Sequence, residues 1–334
     1  MTKKLSLGIV GVRGYVGREL IRLLANHPTI KVEWVSSRLL KGITLNDFLC
    51  DDEHFEAVKL DADHYYNTLK IETLSEVDVA DCKTDIIVLA LPNGLAETFL
   101  QETDIKQNNQ LIIDLSADYR FDETWQYSIP ELFFKSRSKQ SNIVNKLNAV
   151  VKISNPGCYA TAMQIALAPL VNHISERANC FGISGFSGAG TKPSANNNPQ
   201  NLKDNILPYG LIEHLHEKEV SDHLGIPISF SPHVAQFFRG ISMTVQVELE
   251  EKWTLAKINK LFNAYYKDDS LINVQHEIPN VQQVINRENC IVGGFTLSAD
   301  GKRLTLVSCL DNLLKGAASQ ALQNIELFYN ECGS

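Results

Sequence analysis

Among the residues able to do covalent chemistry, Cys158 has the most informative setting. It follows Asn155-Pro156-Gly157 and precedes Tyr159-Ala160-Thr161-Ala162-Met163, where an apolar helical pattern begins. A thiol at a helix N-terminus meets the positive end of the helix dipole and amide hydrogens that lack an intrahelical partner. Both favour the thiolate, which is the reactive form. The tight Pro-Gly turn would present the sulfur sharply, and adjoining amides could hold an oxyanion. The other cysteines, at 50, 82, 180, 290, 309 and 332, are scattered and show no C-x-x-C or Cys/His spacing. No metal site is therefore expected. Cys180 and Cys309 lie in strand-like runs and read as small buried hydrophobes.

A second chemical signature sits near the N-terminus. Gly11, Gly14 and Gly17 form G-x-x-G-x-x-G directly after an apolar run and before a helical pattern. Such a turn lets the backbone approach a pyrophosphate and offers it a helix N-terminus. Arg13 adds a guanidinium, and Tyr15 and Val16 complete the expected cofactor-binding turn. After the next apolar run comes Ser36-Ser37-Arg38, where an NAD-specific protein usually carries an acidic residue. Small hydroxyls with an arginine suit a 2′-phosphate, because arginine donates to phosphate in a fork. The expected cofactor is NADPH. A thiolate beside a nicotinamide narrows the chemistry: it attacks an acyl group, and hydride reduces the resulting thioester to an aldehyde.

A general acid or base is also needed. His214 and His216, flanked by Glu213, Glu217 and Glu219, are one choice, and His233 is a rival. The residues alone do not select between them. His27, His54 and His64 read as surface residues.

Leu5–Val10, Ile30–Val35, Ile86–Leu91 and Leu111–Leu115 read as buried strands. Tyr15–Asn26 and a segment starting at Ala96 read as helices. Strands alternating with helices imply a parallel sheet covered on both faces. Beyond Pro156 the character changes. Cys180–Phe186 is strand-like and leads into the polar, glycine-rich run 187–200. Ile241–Leu249 and Leu304–Leu310 alternate as antiparallel strands with one wet face. Leu313–Phe328 reads as a closing helix. Two domains fit 334 residues of which 44% are hydrophobic. A formal net charge of −8 disfavours a general nucleic-acid binder. No apolar stretch is long enough to span a bilayer, and no signal peptide is visible, so a soluble cytoplasmic protein is expected.

Taken together, G-V-R-G-Y-V-G (11–17), S-S-R (36–38), L-A-L-P-N-G (89–94), D-L-S-A-D-Y-R-F (114–121), I-P-E-L (129–132), N-P-G-C-Y-A-T (155–161), G-F-S-G-A-G (185–190), H-L-H-E-K-E (214–219) and D-N-L-L-K-G-A-A-S-Q-A-L-Q-N (311–324) resemble the N-acetyl-gamma-glutamyl-phosphate reductases of arginine biosynthesis. The resemblance implies a Rossmann-type parallel-sheet domain, residues 1–154 plus 312–334. It also implies an α+β substrate and dimerisation domain with a largely antiparallel sheet, residues 155–311, shared with aspartate-semialdehyde dehydrogenases. It implies Cys158 as nucleophile and His214 as acid/base, with His216 and Glu219 close by. Ser116 and Arg120 are implied as contacts to the acyl phosphate, and Asn155 as a neighbour of the reacting carbonyl. Ser187, Gly188 and Asn312 are implied to border the nicotinamide. Arg239 and Arg287 are candidates for the substrate α-carboxylate. A homo-oligomer, dimer or tetramer, is expected. The chain departs from the family at Val12-Arg13, at Leu215 between the histidines and at Lys218. Two alternatives stay open: the same chemistry on aspartyl phosphate or another acyl phosphate, and an NADP-sensing regulator without catalysis.

Overall fold

The computed structural model describes residues 4–52, 54–55, 57–73, 84–102, 111–133, 135 and 150–332; Cys82 and the side chain of Cys332 lie outside the described set. The chain divides into two compact units, Met1–Pro156 with Ala318–Ser334, and Gly157–Ala317. Residues 155–156 and 312–317 thus fall on the other side of the boundaries expected from sequence.

The first unit holds a seven-stranded sheet. Its strands are β1 (Leu5–Val10), β2 (Ile30–Ser36), β3 (Ile71–Glu72), β4 (Ile86–Leu89), β5 (Leu111–Asp114), β6 (Gln126–Tyr127) and β7 (Val151–Ser154). They run in the order β3-β2-β1-β4-β5-β7-β6, all parallel. The apolar runs are explained by burial on both faces. Leu7, Ile9, Ile86, Val88 and Ile113 pack with Leu20, Ile21 and Leu24 of helix Tyr15–Leu24 and with Ala321, Ile325 and Phe328 of helix Ala318–Cys332. Val10, Ile87, Leu89 and Ile112 pack on the opposite side with Ala96, Phe99 and Trp125. Strand order reverses between β2-β1 and β4-β5. Ligands of such sheets bind beyond the strand C-termini at that point.

The second unit holds β8 (Ala178–Gly185), β9 (Ile206–Pro208), β10 (Ile228–Ala235), β11 (Ile241–Glu248), β12 (Ile272–Val274), β13 (Cys290–Leu297) and β14 (Arg303–Leu310). Their order is β12-β13-β14-β11-β8-β10-β9. Only β8–β10 and β12–β13 pair in parallel; the other four pairings are antiparallel. Cys180, Phe230, Met243, Val245 and Leu306 are buried on one face, where helix Cys158–Leu167 packs. Asn179, Phe181, Thr244, Gln246 and Thr305 alternate with them on the wetter face, as period-two patterning requires.

Two expectations are corrected here. The closing helix begins at Ala318, not Leu313. Residues 311–317 form turns instead, because the Asp311 carboxylate accepts the Leu313 and Leu314 amides and its carbonyl accepts the Gly316 amide. The segment leaves the α-helical ladder because the Gly316 amide reaches back five residues to Asp311 and the Ala317 amide only three to Leu314. His27 is buried rather than on the surface: its Nδ1 accepts from the Ile30 amide and its Nε2 lies 3.2 Å from Glu326. His64 is half-buried and caps a short helical turn, and His54 is exposed.

Candidate active site

In the first unit the three glycines have three different duties. Gly11 has φ +89°, and a Cβ there would lie 2.6 Å from the Ala90 carbonyl oxygen. A Cβ at Gly17 would lie 2.7 Å from the Val12 carbonyl oxygen. At Gly14 a Cβ would meet nothing within 4 Å. Protein packing therefore asks for the outer two glycines and leaves the space over the middle one open. Gly14 is the N-cap of helix Tyr15–Leu24, with no side-chain cap and no acidic residue in the first turn. An anion fits that end of the helix. Tyr15 is the first helical residue, its ring centroid 6.0 Å from that of Phe55, and Val16 packs on the core. Ser36, the last residue of β2, is fully buried, and its hydroxyl has no hydrogen-bond partner among the described residues. Arg13 and Arg38 are exposed. An open helix end beside two exposed arginines fits the phosphates of a dinucleotide.

Ser116 and Arg120 belong to the same unit and are buried. The Ser116 hydroxyl donates to Asp114 at 2.7 Å, and Arg120 Nε donates to the Asn155 carbonyl at 3.2 Å. Burial pushes the Asp114 carboxyl up to about 6, against the hydrogen bonds from Ser116 that pull it down. The Asn155 side chain accepts from Asn324 at 3.1 Å.

In the second unit Cys158 is the first residue of a 10-residue helix whose other members are all buried, while Cys158 is half-buried. Its N-cap, Gly157, donates its amide to the fully buried carboxylate of Glu219 at 2.9 Å. The Gly157 amide is thus committed and is not one of the donors left for an oxyanion. Cys180 and Cys309 are buried as expected, and burial raises both thiols, Cys309 to about 11.

Around Cys158 stand groups that sequence reading left unassigned. Tyr209 stands beside Tyr159 and Cys158, Tyr159 Oη donates to the His233 carbonyl at 2.5 Å, and burial pushes the Tyr209 hydroxyl up to about 12. Gly316 packs on the cysteine so closely that a Cβ there would lie 2.7 Å from Cys158 Cβ. His214 is the N-cap of helix Leu215–Leu224, and its Nδ1 accepts from the His216 amide at 3.2 Å. Its ring centroid is 5.7 Å from Tyr209, 5.0 Å from His216 and 5.3 Å from Phe230. His216 lies 5.8 Å from Tyr159, which adjoins Cys158. The helix therefore gathers His214, His216 and Glu219 into the cysteine's surroundings. Burial lowers the His214 pKa, opposed by the carboxylates of Glu217 and Glu219. The His233 ring lies tilted against Phe181, centroids 4.3 Å apart, on the other face of the sheet.

The turn behind Cys158 is held by a buried pair. Arg239 donates to Asp311 through Nε at 2.7 Å and Nη2 at 3.1 Å. Arg239 is buried and its guanidinium is committed to that carboxylate, which argues against it as a substrate-carboxylate candidate; Arg287 is exposed. Asn312 is equally committed: it accepts from the Gly240 amide at 2.6 Å and donates to Ser187 at 2.9 Å. Gly188 is exposed beside them. Nothing in the spacing of 187, 239, 240 and 311–316 announces these partners, because each pair is far apart in sequence. Among the described residues no group of His, Cys, Asp and Glu could hold a metal ion. No helix among them is long and apolar enough to cross a membrane.

Comparison with known proteins agrees with this architecture. The semialdehyde dehydrogenase NAD-binding domain matches residues 6–140, and the semialdehyde dehydrogenase dimerisation domain matches residues 158–312. The chain resembles the crystal structure of aspartate semialdehyde dehydrogenase II from Vibrio cholerae, with TM-score 0.75 and 17% identity over 98% of this chain and 99% of that one. The NADP complex of the Candida albicans aspartate semialdehyde dehydrogenase gives TM-score 0.75 and 14% identity, covering 99% of both chains. In sequence, the chain is 45% identical to the N-acetyl-gamma-glutamyl-phosphate reductase of Xanthomonas euvesicatoria over 96% of its length and 95% of the relative. It is also 45% identical to that of Xylella fastidiosa over 97% of its length and 92% of the relative. The chain is an oxidoreductase that belongs to the N-acetyl-gamma-glutamyl-phosphate reductase family.

Proposed function

We propose that the protein converts N-acetyl-glutamyl 5-phosphate to N-acetyl-glutamate 5-semialdehyde through a thioester on Cys158, in arginine biosynthesis. The observation that carries this reading is the setting of Cys158: a half-buried thiol at the first position of a buried helix, backed by Gly316 and surrounded by Tyr209 and the His214 helix. A helix N-terminus favours the thiolate. The thiolate attacks the acyl carbon, and phosphate leaves with the electrons of the broken C–O bond. His214 lies within the same cluster and serves the carbonyl oxygen. Ser116 and Arg120 would bind the phosphate, with Asn155 beside the reacting carbonyl.

Gly11, Arg13, Gly14, Tyr15, Val16 and Gly17 would hold the cofactor's pyrophosphate and its surroundings, Ser36 and Arg38 its 2′-phosphate, and Ser187, Gly188 and the Asn312 segment its nicotinamide. Bound NADPH supplies the hydride that takes the thioester to the aldehyde. The family's dimerisation domain supports a homo-oligomer, and we place the enzyme in the cytoplasm.

The test is to quench the protein with acyl phosphate in the absence of NADPH and map the added mass. An acyl group on the peptide containing Cys158 is expected. Mass found only on another peptide, or full turnover by Cys158→Ala, would refute the assignment.

A further inference from the structure

We infer that Asp118 is a positioning residue for this reaction: it ties the turn beside the cofactor loop to the segment that would bind the acyl phosphate, and so holds the two ligands in register. This rests on the reading of those two subsites given above and adds what fixes their spacing.

The need for such a tie begins in the sequence. β4 and β5 are neighbouring parallel strands, so the chain leaves both at the same end of the sheet. After β4 come Leu91-Pro92-Asn93-Gly94-Leu95 and then helix Ala96–Glu102. A helix start leaves amides without intrahelical partners. The residue before this start is Leu95, whose side chain offers no acceptor. After β5 come Leu115-Ser116-Ala117-Asp118. Asp118 supplies from the neighbouring loop what Leu95 lacks: Oδ1 accepts the Gly94 amide at 2.6 Å and Oδ2 accepts the Ala96 amide at 3.0 Å. Asn93 returns the contact, its Oδ1 accepting the Ala117 amide at 3.0 Å. Hydrogen bonds running in both directions make one brace of two loops. Gly94 allows the approach, with φ +83° in a turn closed by the Leu95 amide on the Pro92 carbonyl.

Each end of the brace reaches a ligand subsite. On the cofactor side, the Ala90 amide donates to the Val10 carbonyl at 2.8 Å. A Cβ on Gly11 would lie 2.6 Å from the Ala90 carbonyl oxygen and 3.0 Å from Leu91 Cδ2. On the phosphate side, Ser116 Oγ accepts the Asp118 amide at 3.1 Å while donating to Asp114. Arg120 holds the carbonyls of Leu115 and Asn155. Direct contacts therefore lead from Gly11 through residues 90–96 and Asp118 to Ser116 and Arg120, all inside one unit.

The carboxylate matters because two amides point at it. Asparagine has a single acceptor oxygen and would turn an N–H toward the second amide. Asp118 is half-buried, and hydrogen bonds to a carboxylate are stronger than neutral ones. Both of its oxygens face backbone amides. Its loss is therefore felt as misalignment of the ligands rather than as a missing contact to either.

The test uses the full-length enzyme and two variants, Asp118→Asn and Asn93→Ala, which cut the brace from opposite ends. Asp118→Asn should lower kcat per folded molecule about tenfold or more, while Kd for NADPH and KM for the acyl phosphate stay within about threefold. Asn93→Ala should lower kcat in the same way by about threefold, and the double variant should be no worse than Asp118→Asn, because a broken brace cannot be broken twice. Unchanged kcat per folded molecule, with stability alone reduced, would make Asp118 a helix cap and overturn the inference. Losses that multiply in the double variant would overturn it too. Hydrogen exchange gives a readout free of turnover. The peptide covering 91–96 should be protected in the wild type and exchange about threefold faster or more in Asn93→Ala, which removes no bond to Gly94 or Ala96. Exchange unchanged by Asn93→Ala would show that the two loops move separately and would overturn the brace. If Asp118→Asn does not fold, kcat and exchange in Asn93→Ala decide. Protection of 91–96 with no acyl group trapped on Cys158 would refute the thioester reading and leave the brace standing.

Discussion

Gly14 and Gly157 make an instructive pair. Each is the N-cap of a 10-residue helix, each lacks a side-chain cap, and their backbones nearly coincide at φ −69°, ψ 160° and φ −73°, ψ 154°. What meets them differs. Over Gly14 the space is open to 4 Å around a would-be Cβ, and the helix end waits for an anion. At Gly157 the carboxylate of Glu219, from 62 residues away, already holds the amide. The same local turn is thus left open in one unit and taken by a protein carboxylate in the other. Local geometry creates an anion site, and long-range packing decides who occupies it.

That contrast can be broken from the side-chain end first. The cysteine turn depends on a buried ion pair, so Arg239→Met would strand the Asp311 charge and should cost about 3–5 kcal/mol of stability in urea unfolding. A loss under about 1 kcal/mol would mean the pair is not what braces residues 311–316. Next comes Gly316→Ala, whose Cβ would press on Cys158 at 2.7 Å. The expected result is a fall in kcat on the order of 10²-fold with unchanged NADPH affinity, since a displaced nucleophile loses alignment rather than cofactor. Unchanged kcat would free Gly316 of any role. The smallest effects belong to the cofactor turn. Gly14→Ala should leave stability within about 0.5 kcal/mol yet weaken NADPH and NADH alike by about tenfold, measured by fluorescence titration. Arg38→Ala should weaken NADPH alone, by a similar factor. Gly17→Ala should destabilise the fold itself, because its Cβ meets backbone. If Gly14→Ala behaved like Gly17→Ala, the open helix end would not be a ligand site.

The comparison also explains what sequence reading reaches. β1 was legible to the residue, and β2, β4, β5, β8, β11 and β14 to within two residues, because apolar runs and alternation report burial directly. The placement of Cys158 at a helix start followed from Pro156-Gly157 and the apolar pattern after them. From its period the closing helix reads five residues early: Leu313 and Leu314 fit the pattern, but the Gly316 and Ala317 amides bond five and three residues back. His27 looked solvent-exposed because nothing near it in sequence names Glu326 as its partner. Tyr209, Gly316 and the Arg239–Asp311 pair were silent for the same reason. Their roles exist only once β8–β14 bring residues 157, 187, 219, 239 and 311–316 into one unit. Period and turn chemistry are written locally; pairings across 60 or more positions are not.

The closing helix has a consequence for how the protein is made. Ala318, Ala321, Leu322, Ile325 and Phe328 share one core with Leu7, Ile9 and Leu20, although the whole Gly157–Ala317 unit is translated between them. The nascent N-terminal half therefore leaves the ribosome with a bare apolar wall. It can close only after helix Ala318–Cys332 has been translated, while the intervening unit holds all of its own strands beforehand. Order of synthesis and order of completion are reversed, and the first part begun is the last part finished.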